Sequence, residues 1–222
     1  MDSDNTSSDK LPDLLGGSKA LTERMQSLGF SGIAVRAPTK AMGSSGELPN
    51  EGTPEALAGL LASLERGELL EAPQRALLWD LMGRARTGER RIRAGLPPGT
   101  QVLDKTGAGG NGTATNDVGV VTLPGSAGHL AIAVLIAASS LPPRAQEDLI
   151  AEIARTAFDS FYWFALISSH SSRSGGDHSL RRCSTSSGTS AELAQNLKGS
   201  PRAPSATLPA HRLGFGVAAA DL

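Results

Sequence analysis

The chain has a single cysteine, Cys183, few aromatic residues (4%), no surplus of charge of either sign and no long apolar run. Each scarcity removes a class of function. One thiol makes neither an internal disulfide nor a multi-thiolate metal site, and it leaves the redox compartment open. The 21 Lys and Arg are balanced by 22 Asp and Glu, so no strong field steers the protein toward nucleic acid or an anionic membrane. Three of the four histidines, His170, His178 and His211, lie in the C-terminal region, and His129 stands alone before an apolar run, so no metal and no cofactor is expected. The longest apolar run, residues 130–138, spans nine residues and reads as a buried strand, well short of the roughly 20 residues of a bilayer-crossing helix. The opening MDSDNTSS has neither the basic nor the apolar region of a secretory signal. If it is the native start, the expected location is the cytoplasm.

What is present is a patterned region followed by a low-complexity one. Residues 1–161 alternate periodic segments with turn signals, as a packed domain does. Residues 162–222 are rich in Ser, Gly, Pro and Arg and are expected to form a mostly disordered tail, with a weak helix signal at 190–197. Four helices are expected in the first region. Ser18 is positioned to cap KALTERMQSLG, which stops at Gly29. Thr53-Pro54 opens EALAGLLASLERG, with Leu57, Leu60, Leu61 and Leu64 as its stripe and Gly67 as its stop. APQRALLWDLMGR presents Leu77, Leu78, Leu81 and Met82, and the last helix, at 143–161, presents Leu149, Ile150, Ile153, Ala157 and Phe161. Between the third and fourth helices lie three strand-like runs, TQVLDKTG, NDVGVVTL and HLAIAVLIAA, joined by Gly-rich loops short enough for antiparallel neighbours. The fold class is therefore α+β, helices packed on an antiparallel sheet.

Two short motifs carry chemistry. Ser3-Asp4-Asn5 alone reads as a turn or a helix cap. Lys105-Thr106-Gly107 ends a strand, and S-D-N followed by K-T-G is two thirds of the motif set of class A serine β-lactamases and penicillin-binding proteins. The segment LLGGSKALTERMQSLG resembles that family's Gly-Gly turn and following helix. RIRAGLP resembles its approach to the K-T-G strand, and GTATNDVGVV its next strand. Over residues 3–161 the chain is thus similar to the C-terminal portion of a class A β-lactamase, with the N-terminal helix and first strands missing.

The resemblance implies hydrolysis of a β-lactam amide by a serine nucleophile, a β-lactam or acyl-peptide small molecule as partner, and a periplasmic or secreted location. It makes Ser3 the proton shuttle to the lactam nitrogen and puts Asn5 against the substrate's acylamino carbonyl, while Asp4 braces the loop. Lys105 supplies positive charge beside the shuttle serine, and Thr106 donates to the substrate carboxylate. Gly107 permits close approach, and the Ala108 N–H is one of two oxyanion donors. Arg91 matches a carboxylate-binding arginine, with Arg93 the competing candidate.

Two departures qualify that picture. The family's S-x-x-K nucleophile belongs well ahead of S-D-N, whereas the literal Ser7-x-x-Lys10 here falls directly after it, where a coincidence is expected. The deacylating glutamate of the Ω-loop has no clear counterpart: Thr39 falls at its position, and a threonine is no carboxylate base. Glu47 and Glu51 are nearby carboxylates expected to be surface charges. The chain alone is therefore expected to be inactive and to need pairing with an N-terminal segment. The alternatives are a non-catalytic remnant that binds carboxylates weakly and an interaction protein that pairs through an open sheet edge.

Overall fold

The computed structural model describes residues 4–38, 50–109, 114–171 and 214–221. Helix α1 (Asn5–Leu14) is capped by Asp4, whose carboxylate accepts from the Ser7 N–H at 2.6 Å. Helix α2 (Gly17–Ser27) opens from Gly16 with no side-chain cap, so Ser18 lies within its first turn instead of capping it. Its end is the expected one. Gly29 is left-handed at φ 91°, its N–H reaches the Gln26 carbonyl, and the Phe30 N–H reaches that of Met25. Two-residue strands β1 (Ile33–Ala34) and β2 (Glu51–Gly52) then pair, too short to leave a periodic signal.

Helix α3 (Pro54–Glu65) starts as read, with Thr53 accepting from the Ala56 N–H at 3.2 Å and Pro54 in the first turn. Its buried positions are Ala58, Leu61 and Ala62, while Leu57, Leu60 and Leu64 are only half-buried. Two alanines let this helix approach the sheet closely, and that shifts the buried stripe. In α4 (Ala72–Gly83) Met82 is buried, but Leu77 is 59% exposed, because the helix touches the sheet only along its Leu78, Trp79 and Met82 side. A short helix, α5 (Ile92–Gly95), precedes the sheet.

The main sheet is antiparallel, in the order β3 (Val102–Ala108), β4 (Ala114–Thr122), β5 (His129–Ala137), β6 (Gly214–Asp221). The expected three-strand meander is present, and the fourth strand is an addition. It lies inside the region read as a tail, running beside β5 from Leu130↔Asp221 to Ala137↔Gly214. A strand made mostly of Gly and Ala has little pattern of its own, and its partner lies some 80 positions away in sequence. The closing helix α6 (Pro143–Ser171) also outruns its expected end at 161. Tyr162 sits one turn beyond Phe158, with ring centroids 6.2 Å apart, and packs against the core. Residues 172–213, which include the weak helix signal at 190–197, lie outside the described residues, as do Ser3, Thr39 and Glu47.

The sheet separates two cores, as alternation along its strands requires. Val102, Val121 and the even positions of β5 meet α5 and α6 through Ile92, Ile150, Ile153 and Phe158. Val120 and Ala131 meet α3 and α4 through Leu61 and Met82. Gly95 is what lets α5 lie flat on α6: a Cβ there would stand 1.9 Å from the Ala151 carbonyl oxygen.

Candidate active site

Strand β3 is the frame. In its pairing with β4, Lys105 faces Val118, Thr106 faces Asp117, Gly107 faces Asn116 and Ala108 faces Thr115. The Thr122 N–H bonds to Gln101 O and the Gly109 N–H to Ala114 O, so the odd positions of β3 spend their backbone groups on β4. The even positions, Thr106 and Ala108, then point their N–H and C=O groups at the other edge, which no described strand covers. Lys105 uses that edge, donating from Nζ to the Thr106 carbonyl at 2.7 Å. Burial lowers the lysine's pKa; the charges of Asp117 and Asp104 oppose the shift, and Arg91 adds to it. The Thr106 hydroxyl donates to that of Thr87 at 2.8 Å.

Arg91 reaches the same strand from the residue before α5. Its Nη1 donates to the carbonyls of Gly107 at 3.0 Å and Asn116 at 2.8 Å, a facing pair, and its Nε lies 3.5 Å from Glu147 on α6. The guanidinium is therefore a clamp across β3 and β4 as well as a charge at the end of the K-T-G strand. Arg93, the competing candidate, points elsewhere. Its Nε donates to Asp104 at 3.0 Å, its Nη2 forms a second contact to the same oxygen, and Asp104 is fully buried.

Asp117 is equally buried and accepts from the Ile92 N–H at 3.2 Å. Its pKa is pushed up to about 7, first by burial and then by the Asp104 charge, with the Ile92 N–H, Arg91 and Arg93 acting against the shift. Gly88, at φ 86°, roofs both carboxylates. Thr87, Gly88, Asp104, Asp117 and Glu147 escaped the sequence reading. The legible trace was the pair of aspartates on the inward alternation that also carries Val102 and Val121.

Of the other motif residues, Asp4 caps α1 and Asn5 is its exposed first residue. Ser7 and Lys10 are exposed on the same helix. Glu51 pairs with Arg36 at 2.7 Å on the surface, where that hydrogen bond holds its carboxyl below the usual range. A hollow of about 420 Å³ bordered by Glu65, Trp79, Leu103 and His129 contains none of the motif residues.

Residues 1–161 match the model of the family described as "Beta-lactamase enzyme family". The extended-spectrum β-lactamase PER-1 of Pseudomonas aeruginosa is 35% identical over 162 residues, which are 70% of this chain and 52% of the relative. A β-lactamase of Mycobacterium tuberculosis is 41% identical over 111 residues, 49% of this chain and 36% of the relative. Among solved structures, the extended-spectrum β-lactamase TLA-1 superposes with a TM-score of 0.68 at 32% identity, covering 72% of this chain and 60% of the other. A β-lactamase from Chitinophaga pinensis gives the same TM-score and identity over 71% and 60%. The chain spans about half the length of PER-1 and of the Pseudomonas aeruginosa VEB-1 enzyme, which it matches over 56% of that relative.

Proposed function

The chain belongs to the β-lactamase enzyme family, and from that premise we propose that residues 1–161 form the substrate-binding side of a serine β-lactamase site. The reaction is attack of a serine on the lactam carbonyl, loss of the ring nitrogen as leaving group and hydrolysis of the acyl-enzyme by water. The nucleophile is a Ser-x-x-Lys serine additional to these residues, and the chain by itself does not turn over substrate. The setting is periplasmic or secreted, as the family resemblance implies.

The open edge of β3 carries this reading. An N–H at Ala108 aimed away from β4 has no backbone acceptor among the described residues and offers a donor for a developing oxyanion, two residues from the Thr106 hydroxyl. Lys105 and Arg91 bring two positive charges to the same end of the strand, where the substrate carboxylate binds. Gly107, half-buried between them, has no side chain to obstruct the approach. Asn5 orients the acylamino group, and Ser3 returns the proton to the ring nitrogen.

The test uses a chromogenic cephalosporin. The chain alone should stay at background, since removing a nucleophile leaves at most about 10³ to 10⁴ over water in the serine protease precedent. Adding an N-terminal β-lactamase segment that bears Ser-x-x-Lys should allow acylation. With threonine at position 39 the adduct should persist in mass spectra, and Thr39→Glu should shorten its lifetime. Robust hydrolysis by the chain alone, abolished by Ser7→Ala, would overturn the proposal.

A further inference from the structure

We propose that Asp104 and Asp117 share one proton, carried on Asp117 at neutral pH, and that through it Asp117 acts as a positioning residue for the charge of Lys105. The two carboxyl groups lie diagonally on the face of the sheet toward α5 and α6, since Asp104 pairs with Gly119 and Asp117 with Thr106. A single point, the position of a Cβ on Gly88, is 3.2 Å from Asp104 Oδ2 and 3.5 Å from Asp117 Oδ2. Both side chains are fully buried.

The hydrogen bonds do not suffice for two carboxylates. Arg93 engages Oδ1 of Asp104, and the Ile92 N–H engages Oδ2 of Asp117. Asp104 Oδ2 and Asp117 Oδ1 are buried oxygens with no hydrogen-bond partner among the described residues. Arg91, the other cation within reach, directs its Nη1 to backbone carbonyls. One contacting guanidinium against two buried carboxylates leaves an uncompensated negative charge, which a buried site relieves by taking up a proton. A proton on Asp117 Oδ1 turns an orphaned acceptor into a donor, while Oδ2 keeps the Ile92 N–H.

Lys105 lies on the opposite face of β3, one residue from Asp104, and the charges of both aspartates act on it. The groups that surround the pair are Arg91 and Arg93 from the α5 segment, Glu89 before it, Lys105 on β3 and, through Arg91, Glu147 on α6. With one proton held, the pair carries a single negative charge and the K-T-G strand keeps its surplus of positive charge. Loss of that proton adds a second negative charge and weakens the strand's attraction for a substrate carboxylate. This role at the strand rests on the proposed function, whereas the shared proton belongs to the folded chain alone.

The experiment is an NMR titration of the full 222-residue chain with labelled Asp carboxyl carbons and labelled Lys side chains. One Asp carboxyl should titrate near pH 7 and vanish in Asp117→Asn, whose amide has the shape of the neutral acid. The Lys105 resonance should show an inflection at that same pH, lost in the variant. Asp104→Asn should move the neutral titration down toward the ordinary carboxyl range, and it identifies the pair even if Asp117→Asn fails to fold. Complete ionisation of every Asp carboxyl by about pH 5 would sink the shared proton. A neutral titration at Asp117 that leaves Lys105 unmoved would sink the positioning role. Neither readout uses a β-lactam, so failure here and failure of the enzymatic reading are separate results.

Discussion

Arg93 and Asp104 form an ion pair with unequal surroundings: the guanidinium side chain is 28% exposed, whereas the carboxylate has no exposure at all. Removing the cation strands a buried charge, which costs more than the pair itself contributes. Arg93→Leu should lose about 3–5 kcal/mol, measured by urea unfolding. The double variant Arg93→Leu with Asp104→Asn should recover part of that loss, because the stranded charge is gone. A single variant within about 0.5 kcal/mol of the parent would contradict the pairing.

The contact between Gly95 and Ala151 predicts opposite outcomes for two glycines. Gly95→Ala drives a methyl into a backbone carbonyl on α6, which side-chain motion cannot relieve, and should cost at least about 1–3 kcal/mol. Gly59, inside α3, has the Phe30 ring 3.6 Å from its prospective Cβ, an ordinary contact. Gly59→Ala should therefore stabilise, by up to about 1 kcal/mol, from helix propensity. Paired thermal melts check both signs.

Asp117 predicts a particular dependence of stability on pH. Its folded pKa of about 7 exceeds the unfolded carboxyl value near 4, so the folded chain holds a proton that the unfolded chain has released. The resulting stability is complete below about pH 4, falls as pH rises and is lost above about pH 7. Urea midpoints of the parent should accordingly decline relative to those of Asp117→Asn across that window and run parallel above it. A constant difference between the two proteins from pH 4 to 8 would show that Asp117 ionises alike in both states.

Ala138 follows β5 in a left-handed conformation at φ 52°, one of two such non-glycine residues among those described. That conformation costs an L-residue roughly 1–2 kcal/mol, partly offset by the extra freedom glycine gives the unfolded chain. Ala138→Gly should raise the melting temperature, with a net gain of up to about 1 kcal/mol. A lower melting temperature would mean that the turn takes a different path in solution.

Several helix ends and the hydrophobic stripe of α6 were legible because they depend on residues one to four positions apart. Thr53 and Pro54 open α3, Gly29 and Gly67 close their helices at positive φ, and Ile150, Ile153 and Ala157 face the sheet as their spacing requires. The three-strand meander followed from apolar runs joined by short Gly-rich turns, and the K-T-G motif was visible as a local string. The residues that organise this strand were not legible in that way. Arg91 reaches Asn116 across 25 positions and Glu147 across 56.

The sequence by itself determined four of the helices and the three-strand meander, and which family's chemistry they resemble, because propensity, capping and periodicity are recorded between near neighbours. Only the tertiary structure decided that Arg91 clamps two carbonyls while Arg93 neutralises Asp104, and that Asp117 stands beside that buried charge under Gly88. The same holds for β6, whose eight residues have backbone partners only once β5 is in place. Charge pairing and strand pairing depend on distance in space and on the exclusion of water, and neither is written in the spacing of residues along the chain.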